Sequence, residues 1–325
     1  MHMKKIAILT SGGDAPGMNA AIRAAVRTAL YHGLEIYGIR RGYQGMIEGD
    51  IFPMETTSVS NIIQRGGTIL KTARSKDFMT KEGREKAFQQ LKKHAIDGLV
   101  LIGGDGTFKG ANIFFQEHSL PAVGIPGTID NDIAGTDYTL GFDTAVNTAV
   151  EAIDKIRDTA EAHDRMFIVE VMGRDAGYIA LNSGIACGAE DILVPEQISD
   201  FKAILERISN DARRKKLVNI IVVAEGDDFG GAEAVRQKIV EKFPHIDVRA
   251  TILGHIQRGG SPSYFDRVQA SRMGYAAVNA LIEGQSQVMI GLESQELIYT
   301  PFDQAIKQHA PLDMQMLEMA KILSS

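Results

Sequence analysis

The sequence predicts an α/β chain built on parallel strands, and three observations carry that expectation. Glycine is in excess, 33 of 325 residues, against an average of about 7%. The excess is clustered at Gly12-Gly13, Gly66-Gly67, Gly103-Gly104-Gly106, Gly230-Gly231 and Gly259-Gly260. Those clusters mostly end short apolar runs that helical patterns follow, the signature of strand–turn–helix units. At 325 residues the chain is also long enough for about two domains.

The elements follow in order. Lys5–Thr10 reads as a strand, because the apolar run Ile6 to Leu9 stops at Ser11-Gly12-Gly13. Met18–Leu30 reads as a helix, with Ala-rich spacing and no internal Gly or Pro. Glu35–Ile39 is a second strand. Glu82–His94 has helical composition and leads into the strand Asp97–Ile102, which ends at Gly103-Gly104-Asp105-Gly106. Pro121–Ile125 is a further strand, ending at Pro126-Gly127-Thr128. Thr144–Ala162 is the clearest helix, with Val146, Val150, Ile153 and Ile156 along one face. A second α/β set begins at the strand Met166–Met172 and includes Asp191–Val194 and Leu217–Ala224. Between the last two lies the helix Asp200–Lys216, whose basic end Arg213-Arg214-Lys215-Lys216 suits the helix dipole. Phe265–Ile282 is a late helix. There is no low-complexity linker and no short-period repeat, only two loosely similar α/β halves.

Composition narrows the function classes. Hydrophobic residues at 44% and charged residues at 23% exclude a disordered chain and a coiled coil. A net charge of −6 argues against a general binder of nucleic acid or anionic membranes, though it permits a local basic pocket. The single Cys187 can form no intrachain disulfide and reads as a small buried apolar residue, which fits a reducing cytoplasm. Lys4 and Lys5 precede an apolar run too short for a secretory signal. Runs such as Leu99–Ile102 and Ile220–Ala224 fall far short of the roughly 20 residues that span a membrane.

Ligand sites in such sheets lie beyond the carboxyl ends of strands, where the glycine clusters fall. Ser11-Gly12-Gly13-Asp14-Ala15-Pro16-Gly17-Met18-Asn19 links a strand to a helix, and bare amides at a helix start favour an anion. Gly103-Gly104-Asp105-Gly106-Thr107 adds one carboxylate to such amides, which suits a polyphosphate whose Mg²⁺ is held by Asp105. The pentapeptide also resembles the phosphate loops of NAD kinases and lipid kinases, so it supports phosphoryl transfer without choosing the acceptor. Pro126-Gly127-Thr128-Ile129-Asp130-Asn131-Asp132 follows the next strand, and adjacent strands would bring Asp105 and Asp130 to one crevice. Asp130 then suits a general base, with Asp105 and Asp132 the candidate metal ligands. Cations lie further on: Arg165 before Met166–Met172, Arg174 after it, Arg249 before Ala250–Leu253, then His255 and Arg258 in Gly254-His255-Ile256-Gln257-Arg258-Gly259-Gly260. Arginine forks match phosphate oxygens.

Taken together, these motifs resemble the bacterial ATP-dependent 6-phosphofructokinases over nearly the whole chain. The match comprises Ser11–Arg23, Gly103–Thr107, Pro126–Asp132, Gly135–Ala145, Val169–Arg174 and Gly254–Pro262, in the family's order and spacing. The resemblance implies two Rossmann-like three-layer domains with parallel-rich sheets and crossing chain segments. Residues 1–141 plus 254–304 would form the ATP-binding domain, and 142–253 plus 305–325 the fructose 6-phosphate-binding domain. It implies that Gly12, Arg74, Ser75, Gly104, Asp105, Gly106 and Thr107 bind ATP, with Asp105 serving Mg²⁺. Thr128, Asp130, Met172, Gly173, Arg174, Glu225, His255 and Arg258 match the sugar-phosphate set. Asp130 is the implied base, with Arg74, Arg174 and Thr128 beside it in catalysis. Arg165 and Arg249 match residues that reach the 6-phosphate across a subunit interface, in a cytoplasmic homotetramer whose active sites are shared between chains.

Two rivals stay open at this level. A pyrophosphate-dependent phosphofructokinase typically carries Asp in place of Gly106 and Lys in place of Gly127, and this chain has glycine at both. A catalytically silent sugar-phosphate or nucleotide sensor would have lost the base, whereas Asp130 and Asp105 are both present. A family effector pocket for ADP or phosphoenolpyruvate is matched by Arg23, Arg27, Arg157, Glu190, Arg214 and Lys216. Thr56, Asn61 and Leu217 depart from it, standing where family members commonly have Arg, Asp and Lys.

Overall fold

A computed structural model describes residues 3–163, 165–214, 219–307 and 312–324, with the backbone alone at 211–214. In chain order its elements begin with β1 (Lys5–Thr10), α1 (Met18–Tyr31), β2 (Glu35–Ile39), α2 (Gly42–Glu48), β3 (Ile51–Met54) and α3 (Lys81–Lys93). They continue with β4 (Gly98–Gly103), α4 (Asp105–His118), β5 (Ala122–Pro126), α5 (Phe142–His163), β6 (Met166–Val171) and α6 (Tyr178–Ala186). Then come β7 (Asp191–Leu193), α7 (Phe201–Arg214), β8 (Asn219–Ala224), α8 (Ala232–Lys242) and β9 (Val248–Ile252). The chain closes with α9 (Tyr264–Ile282), β10 (Val288–Glu293), β11 (Glu296–Pro301) and α10 (Met314–Leu323). It divides into two units, Met1–Thr144 with Arg258–Gln308, and Ala145–Gln257 with His309–Ser325.

The first unit holds a sheet ordered β11-β10-β5-β4-β1-β2-β3 among the described residues. Its inner strands are parallel, and the two edge strands β3 and β11 are antiparallel. β4 is buried along its whole length, as a central strand covered on both faces must be. Strand alternation sorts its neighbours. Ala7, Leu9, Leu99 and Leu101 join Met46, Leu91, Phe108, Phe114 and Phe302 in one core cluster. Ile6, Ile8, Val100 and Ile102 are equally buried and point to the other face. There α1 lies against β1 and β2, while α9 lies against β4 and β5. The two helices pack so closely that a Cβ on Gly274 would sit 2.5 Å from the Ala21 carbonyl oxygen.

The second unit is a parallel sheet ordered β7-β8-β6-β9 among the described residues. Met166, Ile168, Ile221, Val223 and Val248 pack with Ile204 and Ile208 of α7 and Val235 and Ile239 of α8. Among the described residues, no helix is long and apolar enough to cross a membrane.

The structure moves one strand boundary that bears on the site. β9 starts at Val248, so Arg249 lies inside a strand rather than ahead of one. The periodicity also misses β3, β10, β11, α2, α4, α6, α8 and α10. β3 carries Pro53 on a sheet edge, the position a strand proline tolerates. The β10–β11 hairpin turns through Ser294 and Gln295, both at positive φ, without the Asn-Gly or Asp-Gly that usually marks such a turn.

Candidate active site

In the first unit, β1, β4 and β5 lie side by side and parallel, so their carboxyl ends deliver three loops to one edge. The loops are laced to one another. Ser11 N–H donates to the Ile102 carbonyl at 2.9 Å, and Gly127 N–H donates to the Gly103 carbonyl at 2.9 Å. The expectation that Asp105 and Asp130 emerge from adjoining strand ends is met.

The first loop needs its glycines for two reasons. Gly12 sits at φ +87°, and a Cβ on Gly13 would lie 1.8 Å from Nη2 of Arg258. Arg258 occupies that space because it donates to the Asp14 carbonyl at 3.1 and 3.3 Å and stands 3.3 Å from Asp14 Oδ1. Thr72 Oγ1 donates to the Gly12 carbonyl at 2.7 Å, which brings the segment bearing Arg74 and Ser75 alongside. Arg74 is exposed. Ser75 Oγ donates to Gln44 Oε1 at 2.7 Å and accepts from Phe78 N–H at 3.2 Å.

The second loop starts α4. A Cβ on Gly103 would strike Thr107 Oγ1 at 2.3 Å, whereas Gly104 and Gly106 have nothing within 4 Å in that direction. Thr107 is buried, and its carbonyl accepts from the Tyr43 hydroxyl at 2.6 Å. Tyr43 stacks on Phe78 with centroids 3.9 Å apart, and its burial raises the phenol far above its usual range, keeping it a donor. Asp105 Oδ2 accepts from Lys109 Nζ at 2.8 Å. Asp105 Oδ1 is buried and has no hydrogen-bond partner in the protein. A buried carboxylate oxygen left over in this way fits a divalent cation. Among the described residues no group of three or more His, Cys, Asp or Glu could hold an ion. A cation here would therefore draw its remaining ligands from substrate oxygens and water, as Mg²⁺ commonly does.

The third loop is held by Asn131, at φ 55°. Its Oδ1 accepts from Thr139 N–H at 2.7 Å and its Nδ2 donates to the Asp137 carbonyl at 3.0 Å. Thr139 Oγ1 donates to the Thr128 carbonyl at 2.6 Å. Asp130 is 8% exposed, and its N–H donates to Thr128 Oγ1 at 3.3 Å. Asp132 is equally buried and pairs with Lys307 at 3.2 Å. With that charge matched by a lysine 175 residues away, Asp105, whose Oδ1 has no protein partner, is the better placed of the two candidate metal ligands.

The second unit gathers another set. β6 and β8 are parallel neighbours, and Glu225 N–H donates to the Val171 carbonyl at 2.9 Å. Met172, Gly173, Arg174 and Glu225 thus share one edge, with Arg174 N–H donating to Glu225 Oε1 at 2.8 Å. Gly173 is at φ +141°, and a Cβ on Gly226 would meet the Arg174 carbonyl at 1.9 Å. His255 follows β9 at the same sheet edge, in a short 3-10 helix, and is exposed. Arg165 and Arg249 do not join this set. They lie at the amino ends of β6 and β9, separated from Arg174 by the length of β6, about 20 Å for a six-residue strand. Both bond to Asp247, a residue the sequence reading passed over. Its signal was present, since Asp247 and Arg249 are two apart along an extended segment and so share a face.

The effector candidates are distributed over both units. Arg23 is half-buried and Arg27 exposed on α1, while Thr56 and Asn61 are exposed in the segment after β3. Arg157 donates to the Cys187 carbonyl at 2.5 Å and to the Gly188 carbonyl at 3.3 Å. Glu190 is buried and accepts from Ile220 N–H at 2.6 Å. The Arg213 and Arg214 side chains, Lys215, Lys216 and Leu217 lie outside the described residues.

The phosphofructokinase family model matches residues 5–281. ATP-dependent 6-phosphofructokinase 1 of Thermus thermophilus is 56% identical over 322 residues, covering 99% of this chain and 100% of its own. ATP-dependent 6-phosphofructokinase of Cytophaga hutchinsonii is 54% identical over 322 residues, covering 99% and 98%. Among solved structures, phosphofructokinase from Saccharomyces cerevisiae superposes with a TM-score of 0.87 at 36% identity over 98% of this chain, which spans 46% of the yeast chain. With identity above half across almost the full length, and the three laced loops in place, this chain belongs to the phosphofructokinase family.

Proposed function

We propose that the chain is an ATP-dependent 6-phosphofructokinase, which moves the terminal phosphoryl group of MgATP to the C1 hydroxyl of fructose 6-phosphate. The observation that carries the reading is the juxtaposition of the Gly12, Gly104 and Asp130 loops on adjoining strand ends, with Asp105 Oδ1 buried and unmatched among them. Phosphoryl transfer through a loose transition state asks for positioning, charge stabilisation and one base.

Gly12, Arg74, Ser75 and Gly104 to Thr107 would hold the nucleotide, and Asp105 the Mg²⁺. When bound, that ion would supply charge stabilisation to the phosphate oxygens. Thr128, Met172, Gly173, Arg174, Glu225, His255 and Arg258 would hold the sugar phosphate. Asp130 accepts the C1 hydroxyl proton as the new O–P bond forms and the bond to the ADP oxygen breaks. Arg74 and Arg174 offset charge on the migrating group. Arg165 and Arg249 would serve the 6-phosphate of a neighbouring chain's site, in a cytoplasmic homotetramer. Their position at the far end of β6 supports that reading, because one chain keeps them away from its own Arg174.

The choice of donor rests on two glycines. Gly106 opens onto free space, leaving room for a nucleoside. Gly127 is closely packed, since a Cβ there would lie 2.9 Å from Met18 Cε and 3.0 Å from Ile102 Cγ2, so the lysine of the pyrophosphate branch fits poorly. The test is product formation from a panel of sugar phosphates with MgATP and with pyrophosphate. Fructose 1,6-bisphosphate should form with MgATP. Robust activity with pyrophosphate and none with MgATP would overturn the reading.

A further inference from the structure

The amino ends of β6 and β9 carry two arginines and one carboxylate. Arg165 Nε donates to Asp247 Oδ2 at 2.7 Å. Arg249 grips the same carboxylate with two nitrogens, Nε at 2.8 Å from Oδ1 and Nη2 at 3.3 Å from Oδ2. The sheet register makes the arrangement. Met166 pairs with Val248 and Phe167 with Arg249, and Met166 N–H donates to the Asp247 carbonyl at 3.1 Å. Arg165 and Asp247 each precede a strand and are brought side by side, 82 residues apart in sequence. The Arg165 and Arg249 guanidiniums hold the Asp247 carboxyl below the usual carboxylate range, so it stays charged across the working pH range.

We infer that Asp247 is a positioning residue for phosphate recognition, holding both guanidiniums in one orientation before substrate arrives. The inference rests on the proposed role of Arg165 and Arg249 at the 6-phosphate. The carboxylate takes the Nε edge of Arg165, which leaves that residue's two terminal nitrogens for another acceptor. The trio keeps a net positive charge, which a phosphate dianion can match. An arginine fixed in advance loses less side-chain freedom on binding than one that must be collected from solvent. Asp247 touches neither the transferred phosphoryl group nor the attacking hydroxyl, so it should act on binding and not on the chemical step.

The experiment compares Asp247→Asn, Asp247→Glu, Arg165→Ala, Arg249→Ala and the double variant Arg165→Ala/Asp247→Asn, by fructose 6-phosphate saturation at fixed excess MgATP. Asp247→Asn should raise KM for fructose 6-phosphate about three- to tenfold, the worth of pre-ordering a charge-assisted contact, and leave kcat and the KM for MgATP within about twofold. Asp247→Glu should recover part of the loss. The double variant should be less impaired than the product of the two single effects, because the residues act through one contact. Raised KM in the arginine variants with unchanged or lowered KM in Asp247→Asn would overturn the role of Asp247 alone. Unchanged KM in every variant would overturn the phosphate assignment of the arginines and this inference with it.

Discussion

Asp105 and Asp130 are carboxylates on neighbouring strand ends, and their surroundings fit them for different tasks. Asp105 has a lysine on one oxygen and a buried, unmatched second oxygen, the setting of a cation ligand. Asp130 is 8% exposed on a loop cinched through Thr128, Asn131 and Thr139, which fixes it as a base must be fixed. Replacing Asp130 by Ser should therefore lower kcat by about 10²–10⁴-fold, the usual worth of a positioned general base. KM for fructose 6-phosphate should change far less, since we assign the 6-phosphate to other groups. Steady-state kinetics with near wild-type turnover in that variant would show that Asp130 is not the base. Both residues were legible in the sequence, because each follows an apolar strand and a glycine. Asp132 was legible too, but nothing local reveals that Lys307 pairs with it. Asp247 was overlooked because its partner Arg165 is set beside it only by the pairing of β6 with β9.

Among the elements, a buried cross-brace joins the starts of α5 and α9. Asp266, in the first turn of α9 and 2% exposed, accepts from Gly141 N–H at 2.8 Å, Thr144 N–H at 2.9 Å and Thr144 Oγ1 at 2.5 Å. It thereby caps α5, while Ser263 caps α9 and donates to Asp143 at 2.5 Å. Burial pushes the Asp266 carboxyl up to about 6 against the pull of these three donors. That value exceeds the roughly 3.9 of an unfolded chain, so the folded state binds the proton more tightly. The contribution of Asp266 to stability therefore grows as pH falls from 7 to 5, by about 1 kcal/mol, and shrinks as pH rises through 6. Asp266→Asn should lower stability at pH 7 by roughly 1–3 kcal/mol, because buried donors lose their acceptor. The gap in Tm between wild type and variant should widen from pH 7 to pH 5, and a constant or narrowing gap would refute the elevated carboxyl. The helices themselves were readable from their periodicity, but this brace was not, since 122 residues separate Thr144 from Asp266. The strands that escaped the periodicity, and α2 with them, have a physical reason. β3 and β11 are short edge strands, and β10 and α2 carry glycine inside, at Gly291 and Gly45, so tertiary packing decides them; α8 has neither feature.

At the scale of the whole molecule, no local composition marks where the chain first leaves one unit for the other, since α5 runs through the point between Thr144 and Ala145 as one helix. Regulation belongs to this scale, because an effector shifts a two-state equilibrium only through its differential affinity for the two states. The candidate effector residues keep Arg23, Arg27, Arg157, Arg214 and Lys216 but lack charge at three neighbouring positions. Thr56, Asn61 and Leu217 are neutral, at positions where the family resemblance leads us to expect Arg, Asp and Lys. Arg157 already donates to the Cys187 and Gly188 carbonyls, and Glu190 is buried against Ile220 N–H. A charge-assisted bond contributes about 1.5–3 kcal/mol. Losing one cation should thus weaken an anionic effector roughly tenfold or more, at about 1.4 kcal/mol per decade. Phosphoenolpyruvate inhibition and ADP activation are accordingly expected to be weak. Fructose 6-phosphate saturation curves with and without millimolar phosphoenolpyruvate should nearly coincide. A strongly sigmoidal curve, shifted many-fold by phosphoenolpyruvate and restored by ADP, would show that Arg23, Arg27 and the basic end of α7 suffice without the missing cations.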